Sequence, residues 1–313
     1  MGTSSFRKIE IFRGGNRLEH LRDKVTVVIL TLNEAEAIGP LIEEVKACGY
    51  RNILVVDGYS TDGTDKIASS LGAVVVRQHG KGKAGAVLTA REIVKTPYFI
   101  VMDGDYTYDP KDIDRFLPFM GGYDHIIGYR PKGCPHISRT HRLGNWILTK
   151  AFNLLMGSNV PDVCCGMYML RTEKAKELIL ERHGFVVDQE IAAQTLLDGK
   201  VTYVPINYRK RLGKAKAPTW RQGFRALWTI FQLGREYNPV LLFSALASLA
   251  IIPGFIILGW FMYRYLFFGV IHSTYLLLSI MLVILGALGL AVSTIAVLLR
   301  RMERKIIDLI KKA

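Results

Sequence analysis

The sequence predicts an α/β domain with a mostly parallel sheet, followed by two membrane-spanning helices. Strand-like and helix-like segments alternate between residues 25 and 103, which is the pattern of βαβ units. Two segments, 237–263 and 273–299, contain no charged residue, and each exceeds the roughly 20 residues needed to cross a bilayer core. Polar side chains follow several predicted strands, where parallel sheets bind their ligands.

Hydrophobic patterning predicts the individual strands and helices. Apolar, β-branched runs without alternation indicate strands buried on both faces, whereas apolar residues three and four positions apart indicate helices. The predicted strands are 25–31, 52–56, 73–77, 98–102, a further strand ending near residue 128, then 163–170 and 201–206. The predicted helices of this domain are 35–48, 62–71, 83–94 and 187–197. The domain as a whole is predicted to span residues 25–218.

Two further segments, 136–157 and 219–237, combine helical spacing with tryptophans and basic side chains, such as Trp146 and Trp228. Helices of this composition are typical of the membrane interface. We therefore predict two interfacial helices, with ordinary amphipathic helices packed on the domain as the alternative. The second helix runs directly into the first apolar segment.

The two spans are predicted at 239–263 and 273–299, within a membrane region of 238–299. Residues 209–225 hold seven Lys or Arg and no acid, and the basic tail, 300–313, holds six Lys or Arg. The short link between the spans carries only Arg264 and His272 as basic residues. The positive-inside rule then predicts a multi-pass integral membrane protein with the α/β domain and both termini in the cytoplasm. Residues 1–24 are predicted to be a polar extension without a signal peptide.

The formal net charge is +14, from 41 Lys and Arg against 27 Asp and Glu. Basic residues beside the spans indicate anionic membrane lipids as partners. Nucleic acid is not predicted, because the sequence has neither RNP-type aromatics nor zinc-finger spacings. The four cysteines show no CxxC spacing and are expected to be free thiols.

Four polar motifs follow predicted strands in chain order. They are Thr31-Leu32-Asn33-Glu34, the segment 56–64 that begins Val-Asp-Gly, Asp103-Gly104-Asp105, and Gly128-Tyr129-Arg130. Because the carboxyl ends of parallel strands meet at one edge, we expect the acidic members of these motifs to form one polar site. An Asp-x-Asp pair can hold Mg²⁺ or Mn²⁺ against two phosphates of a nucleotide. Taken alone, the same pair is equally compatible with a strand-end turn.

Together, at these spacings, the four motifs resemble the GT-A glycosyltransferases of family 2. The two spans and the segment Arg211-Leu212-Gly213-Lys214-Ala215-Lys216 narrow the resemblance to the dolichyl-phosphate mannose synthase and polyprenyl-phosphate glycosyltransferase branch. The resemblance covers about residues 24–220 closely. It implies a metal-dependent, inverting enzyme that moves a hexose from GDP-mannose or a UDP-hexose to dolichyl or polyprenyl phosphate.

The resemblance also implies roles for individual residues. The implied nucleotide-sugar ligands are Thr31, Asn33, Glu34, Asp57, Gly82, Lys83, Asp103, Gly104, Arg211 and Lys214. The basic loop that carries Arg211 and Lys214 could equally contact lipid headgroups. The implied ligands of Mg²⁺ or Mn²⁺ are Asp105, Asp103 and Thr107. Thr107 stands where the family often has Gln, so the third protein ligand stays open between Thr107, Asp109 and water. The implied lipid-phosphate ligands are Arg130 and Arg139, and the implied catalytic acids are Asp103, Asp105, Asp188 and Glu190.

Three alternatives remain at this point. Gly80-Lys81-Gly82-Lys83-Ala84-Gly85 matches a dinucleotide fingerprint, but it follows the third predicted strand and not the first. Asp188 or Glu190 could be a general base for a sugar-hydroxyl acceptor on a lipid-linked oligosaccharide or glycolipid. An inactive GT-A scaffold is disfavoured, because both metal-site aspartates are present. The sequence leaves the oligomeric state open, including a homo-oligomer.

Overall fold

A computed structural model describes residues 15–131, 133–134, 136–180, 187–213, 220–269 and 271–312 of the 313-residue chain. The chain divides into two compact units. The first comprises the described residues of Met1–Thr149 and Val160–Gly223. The second comprises Lys150–Asn159 and the described residues of Phe224–Ala313.

The first unit is built on a seven-stranded sheet with the order β3-β2-β1-β4-β6-β5-β7. Its strands are β1 (Val25–Thr31), β2 (Ile53–Asp57), β3 (Val74–Arg77), β4 (Tyr98–Asp103), β5 (His125–Tyr129), β6 (Tyr168–Arg171) and β7 (Val201–Pro205). Strand β6 is antiparallel to both of its neighbours, and all other pairs are parallel. The predicted mostly parallel sheet is therefore confirmed.

Helices connect the strands along the chain or precede the first of them. They are α1 (Gly15–Arg22), α2 (Ala35–Ala47), α3 (Thr64–Ser70), α4 (Gly82–Ile93), α5 (Arg139–Met156), α6 (Thr172–Glu177) and α7 (Val187–Asp198), with short 3-10 helices at Pro110–Arg115 and Leu117–Phe119. The predicted extension 1–24 thus contains a helix. Strand β6 is shorter than the predicted strand 163–170, because its ladder with β4 pairs only Tyr98–Val101 with residues 168–171.

The core lies on both faces of the sheet. All seven residues of β1 are buried, and alternate residues face opposite sides. Val27 and Ile29 pack into one apolar cluster, and Val28 and Leu30 pack into the other. Burying one such aliphatic side chain stabilises the fold by about 1.5–3 kcal/mol. The two covered faces explain why β1 reads as a continuous apolar run rather than an alternating one.

The second unit contains the end of α5, most of α8 (Trp220–Tyr237), and the long helices α9 (Pro239–Phe268) and α10 (Ser273–Lys312). Two stretches, Phe243–Phe268 and Ser273–Ala296, are long and apolar enough to cross a membrane. These stretches overlap both predicted spans. Helix α10 continues without a break through the described part of the predicted basic tail.

Helices α9 and α10 pack closely through small residues. A Cβ atom on Gly286 would lie 2.9 Å from the carbonyl oxygen of Ala247, so only glycine permits this approach. The hydroxyls of Ser244 and Ser293 lie 3.0 Å apart across the same pair. Small residues and hydroxyl pairs are characteristic of helix packing in lipid.

Candidate active site

The carboxyl ends of β1, β2 and β4 lie side by side. Thr31 is paired with Asp57, and Leu30 is paired with Asp103 in the two parallel ladders. The amide of Gly104 donates to the carbonyl of Leu30 at 2.9 Å. A Cβ atom on Gly104 would lie 2.5 Å from Thr31 Cγ2. Only glycine lets the chain turn this closely against β1, and the turn brings Asp103-Gly104-Asp105 to the same edge as Asp57.

Asp57 organises the loop that follows β2. Its buried carboxylate accepts hydrogen bonds from Thr31 Oγ1 at 3.2 Å, Ser60 N at 2.8 Å and Ser60 Oγ at 2.5 Å. Asn33 has a left-handed backbone with φ of 54°, and its Oδ1 accepts from the amide of Thr61 at 2.8 Å. The two predicted nucleotide ligands therefore also hold the loops after β1 and β2 together.

Lys83 joins two carboxylates that are far apart in the sequence. Its Nζ lies 3.1 Å from Asp103 Oδ1 and 2.9 Å from Asp188 Oδ2. Burial lowers the pKa of Lys83, but the two carboxylates raise it more, so the ammonium stays charged. Burial raises the pKa of Asp188, and Lys83 partly offsets this rise. The predicted phosphate ligand Lys83 thus contacts two acidic side chains.

Asp105 is held by the residues that follow it and by the basic loop. Its Oδ1 accepts from Thr107 N at 3.1 Å and from Thr107 Oγ1 at 2.5 Å. Its Oδ2 accepts from Arg211 Nη1 at 2.8 Å, and the other guanidinium nitrogen of Arg211 contacts Glu34. Burial raises the pKa of Asp105, and the negative charge of Asp103 raises it further. Burial and the charge of Asp103 therefore outweigh the opposing contacts of Thr107 and Arg211 at this carboxylate.

The basic loop, residues 207–213, is docked along the segment that carries Asp105. The amide of Arg209 donates to Thr107 O at 2.8 Å, and that of Leu212 donates to Asp105 O at 3.3 Å. The guanidinium of Arg209 also binds Asp109 at 2.6 Å. These bonds bring Arg211 over Asp105. Lys214, predicted to act beside Arg211, lies outside the described residues.

The acidic side chains at this edge suit a hard divalent cation. Asp103 and Asp105 supply carboxylate oxygens, which Mg²⁺ and Mn²⁺ prefer, and the raised pKa of Asp105 indicates that added positive charge is favourable there. In the described ranges, no cluster of three or more His, Cys, Asp or Glu side chains could hold a metal ion. Thr107 Oγ1 already donates to Asp105, and Asp109 binds Arg209. The two aspartates fit a site whose remaining ligands come from a bound diphosphate and water.

The two predicted lipid-phosphate ligands have different surroundings. Arg130 is largely buried, and its Nε and Nη2 bind the two carboxylate oxygens of Asp162 at 2.7 and 3.0 Å. Its guanidinium also lies 5.3 Å from the ring centre of Tyr208. Arg139 is exposed at the first position of α5. The guanidinium of Arg130 therefore forms an ion pair within the protein, whereas the side chain of Arg139 is exposed at the surface.

Asp188 and Glu190 lie in the first turn of α7, and both are buried. Acidic residues are common in the exposed first turn of a helix, where the helix dipole favours them, but these two are not exposed. Between them, Gln189 donates from Nε2 to the carbonyl of Val163 at 3.2 Å, which ties α7 to the segment before β6. Both acidic residues are thus part of the packed interior, and Asp188 contacts Lys83.

Sequence reasoning missed Gly166 and Tyr108. The amide of Gly166 donates to the hydroxyl of the buried Tyr108 at 2.7 Å. A Cβ atom on Gly166 would lie 2.6 Å from Lys83 Nζ and 2.8 Å from Asp103 Oδ2. The signal was a glycine inside a predicted strand, which often marks the close approach of another group.

Comparison with known proteins identifies the family. The sequence profile described as glycosyl transferase family 2 matches residues 26–179. Glycosyltransferase AglJ of Haloferax volcanii is 30% identical over 90% of this chain and 96% of its own length. The chain belongs to glycosyltransferase family 2. A second family member in Haloferax volcanii, named dolichyl-phosphate hexose transferase, is 30% identical over 66% of this chain and 91% of its own length.

Solved structures support the fold of this family 2 member. Glucosyl-3-phosphoglycerate synthase from Mycobacterium tuberculosis, solved with Mn²⁺, UDP and glucosyl-3-phosphoglycerate, matches with a TM-score of 0.57. The match covers 72% of this chain and 85% of that chain at 18% sequence identity. The predicted GT-A fold is therefore confirmed.

Proposed function

We propose that this glycosyltransferase moves a hexose from a nucleotide sugar, GDP-mannose or a UDP-hexose, to dolichyl or another polyprenyl phosphate, with inversion at the anomeric carbon. The observation that carries the proposal is the pair Asp103 and Asp105 at the sheet edge shared with Asp57. The name of the dolichyl-phosphate hexose transferase relative supports a lipid-phosphate acceptor. The two apolar helices of the second unit support a substrate that resides in a membrane.

In this proposal, charged side chains and a divalent cation bind the diphosphate of the donor. Asp103 and Asp105 would hold Mg²⁺ or Mn²⁺, and such an ion neutralises the leaving diphosphate when bound. The Mn²⁺ and UDP in the solved structure of the synthase support this assignment. Both terminal nitrogens of Arg211 bind carboxylates, those of Asp105 and Glu34. Arg211 would therefore exchange these partners for the diphosphate, to which a guanidinium can donate two hydrogen bonds. Asp57 shapes the part of the pocket that receives the nucleoside.

The acceptor side needs little proton transfer. The phosphate of a polyprenyl phosphate is already an anion near neutral pH, so a strong general base gives little advantage. Asp188 is engaged by Lys83, which suits a carboxylate that orients groups. Arg139, exposed on α5, is suited to draw in the lipid phosphate, whereas Arg130 would first have to exchange Asp162 for it. Positioning and charge neutralisation supply most of the rate in this scheme.

We place the catalytic unit and both termini in the cytoplasm, with Phe243–Phe268 and Ser273–Ala296 crossing the membrane. Exposed apolar side chains on α5 and α8, including Trp146 and Trp228, support interfacial helices. Single cysteines in a cysteine-free background test this topology with a membrane-impermeant maleimide. A label at position 271 from the outside, with position 66 protected until lysis, supports the proposed orientation. The reverse pattern contradicts it.

The activity is tested with purified protein in nanodiscs that contain polyprenyl phosphate. Labelled GDP-mannose, UDP-glucose and UDP-N-acetylglucosamine are supplied in turn with Mn²⁺ or Mg²⁺. We expect one donor to give a lipid product that releases its sugar in mild acid. Asp105→Asn should abolish product, and Lys66→Met, at an exposed site on α3, is the matched control. Absence of product with every donor, or full activity of Asp105→Asn, would refute the proposal.

A second candidate is transfer to a sugar hydroxyl of a lipid-linked oligosaccharide or glycolipid. It is favoured by one observation: burial raises the pKa of Asp188, as expected for a general base. Mild acid would then release no free labelled hexose: the label would leave as part of an oligosaccharide or stay on the glycolipid, and Asp188→Asn would remove the activity at every pH. Transfer to a lipid phosphate instead predicts release of the free hexose in mild acid and residual turnover in Asp188→Asn.

A further inference from the structure

The ammonium of Lys83 is buried between two carboxylates, which is unusual for a side chain whose role is to bind the donor phosphates. It is the second residue of α4 (Gly82–Ile93), yet its ammonium does not point into solvent at the helix end. Only 9% of its side chain is exposed, the same fraction as for Asp188. Two of its three N–H donors are directed at carboxylates from other elements, Asp103 at the end of β4 and Asp188 at the start of α7.

The surroundings fix the ammonium in this place. A side chain on Gly166 would collide with Lys83 Nζ at 2.6 Å and with Asp103 Oδ2 at 2.8 Å. The backbone of Gly166 is itself held by Tyr108 at 2.7 Å. The ammonium therefore lies directly against the backbone of Gly166, between its two carboxylate partners. The cation is also needed electrostatically, because removing it leaves the buried carboxylate of Asp188 without this partner and near the like charge of the partly exposed Asp103.

We propose that Lys83 is a positioning residue, which fixes Asp103 on the donor side and Asp188 on the acceptor side relative to each other, and not a ligand of the donor diphosphate. The proposal deepens the function proposed above and rests on it. Asp103 belongs to the Asp103-Gly104-Asp105 segment that we assign to the donor side. Asp188 is carried by a different helix. The ion pairs of Lys83 hold the donor-side carboxylate of Asp103 and the acceptor-side carboxylate of Asp188 at a fixed distance from each other.

The two roles for Lys83 predict different kinetics. A phosphate ligand contributes to nucleotide binding, so its loss weakens the affinity for nucleoside diphosphate about tenfold or more. A positioning residue affects the geometry of the reacting groups, and a misplacement near 1 Å costs about 100-fold in rate. We therefore expect Lys83→Met to lower kcat by roughly 30-fold or more, while the KM for the donor changes by less than about threefold.

The coupling between Lys83 and Asp188 gives a second test. If Lys83 acts through Asp188, the effects of Lys83→Met and Asp188→Asn on kcat should not be independent. The fold-loss of kcat in the double variant should then be smaller than the product of the two single fold-losses, by about tenfold or more. Adding Asp188→Asn should also restore part of the melting temperature lost in Lys83→Met, because the like-charge repulsion is removed. Lys66→Met on α3 is the control for loss of an exposed lysine.

The experiment measures kcat and KM for the donor, the affinity for GDP and UDP with Mn²⁺ by calorimetry, and melting temperature, for the full chain in nanodiscs. If Lys83→Met does not fold, Lys83→Gln, which keeps an N–H donor, is measured in its place. A tenfold loss of GDP or UDP affinity with kcat preserved would overturn the proposal. So would additive losses in the double variant, or a folded Lys83→Met with wild-type kcat.

Failure of the proposed function would be visible separately. A wild-type protein that binds GDP or UDP with Mn²⁺ but forms no lipid product would refute the lipid-phosphate activity. The nucleotide affinities and the melting temperatures of the Lys83 and Asp188 variants need no acceptor. They would still decide whether Lys83 binds the diphosphate or joins the two carboxylates.

Discussion

The guanidinium of Arg211 lies with Nη1 2.8 Å from Asp105 Oδ2, and its other terminal nitrogen contacts Glu34. The two residues Arg211 and Asp105 are 106 positions apart in the chain. An internal cation thus lies against a carboxylate that we assign to the divalent metal. Binding of the metal and release of Arg211 toward the donor diphosphate are therefore expected to be linked.

This contact predicts the behaviour of Arg211→Met. Removing the guanidinium leaves Asp105 with less positive charge nearby, so affinity for Mn²⁺ in the absence of nucleotide should rise several-fold. Turnover should fall, because the diphosphate loses a bidentate partner. Free Mn²⁺ is measured by electron paramagnetic resonance. Lys210→Met, an exposed lysine of the same loop, is the control and should change neither quantity. Unchanged Mn²⁺ affinity in Arg211→Met would argue against the link.

Gly166→Ala should reduce activity about 100-fold, because the new methyl group must displace Lys83 Nζ or Asp103 by a sizeable part of an ångström. Steady-state kinetics of the variant measures the loss, and a melting curve checks that it folds. Gly39→Ala is a matched control, since its added carbon would make ordinary contacts of 3.6 and 3.9 Å. Equal activity of the two variants would contradict the close packing at Gly166.

Arg130 and Asp162 should behave as a buried ion pair. Arg130→Met leaves Asp162 without its bidentate partner, and we expect a loss of about 3–5 kcal/mol of stability. The double variant Arg130→Met with Asp162→Asn should regain most of that loss. Arg139→Met should leave stability unchanged and raise KM for the polyprenyl phosphate. Denaturation curves and acceptor kinetics separate these outcomes, and a stable Arg130→Met with a raised acceptor KM would show that Arg130 binds the lipid phosphate directly.

The buried His125 should make stability depend on pH. Burial lowers its pKa to about 3, so the folded protein leaves it neutral, while the unfolded chain protonates it below about pH 6.5. Stability is therefore lost as pH falls below 6.5, by about 1.4 kcal/mol from this group between pH 8 and 5.5. Melting curves at these two pH values should converge in His125→Asn. His141→Asn, at an exposed site, should keep the wild-type dependence.

The sequence could predict much of the fold from local signals. Strand β1 is buried in all seven positions because both of its faces are covered, and its run of β-branched and aliphatic residues makes this burial visible in the sequence. The ladders then bring Asp57 and Asp103 to one edge, which follows from parallel pairing alone. The apolar stretches of α9 and α10 are likewise a matter of composition and length.

Other features depended on contacts between distant parts of the chain. The antiparallel insertion of β6 between β4 and β5 has no local signature, since strand direction is set by the pairing partner. The sequence predicts Lys83 as a phosphate ligand, because glycine-rich loops before helices often bind phosphate. It does not reveal the ion pair of Lys83 with Asp188, which lies 105 residues away.

The sequence by itself determined the kind of site, through the acidic and polar residues that end the strands, and the presence of two long apolar helices. Only the tertiary structure decided which charges meet: Lys83 between Asp103 and Asp188, Arg211 on Asp105, and Arg130 on Asp162. The physical reason is the separation along the chain between the residues that interact. Periodicity and strand ends reflect neighbours along the chain, whereas the partner of a buried charge is fixed by packing between elements that the sequence separates.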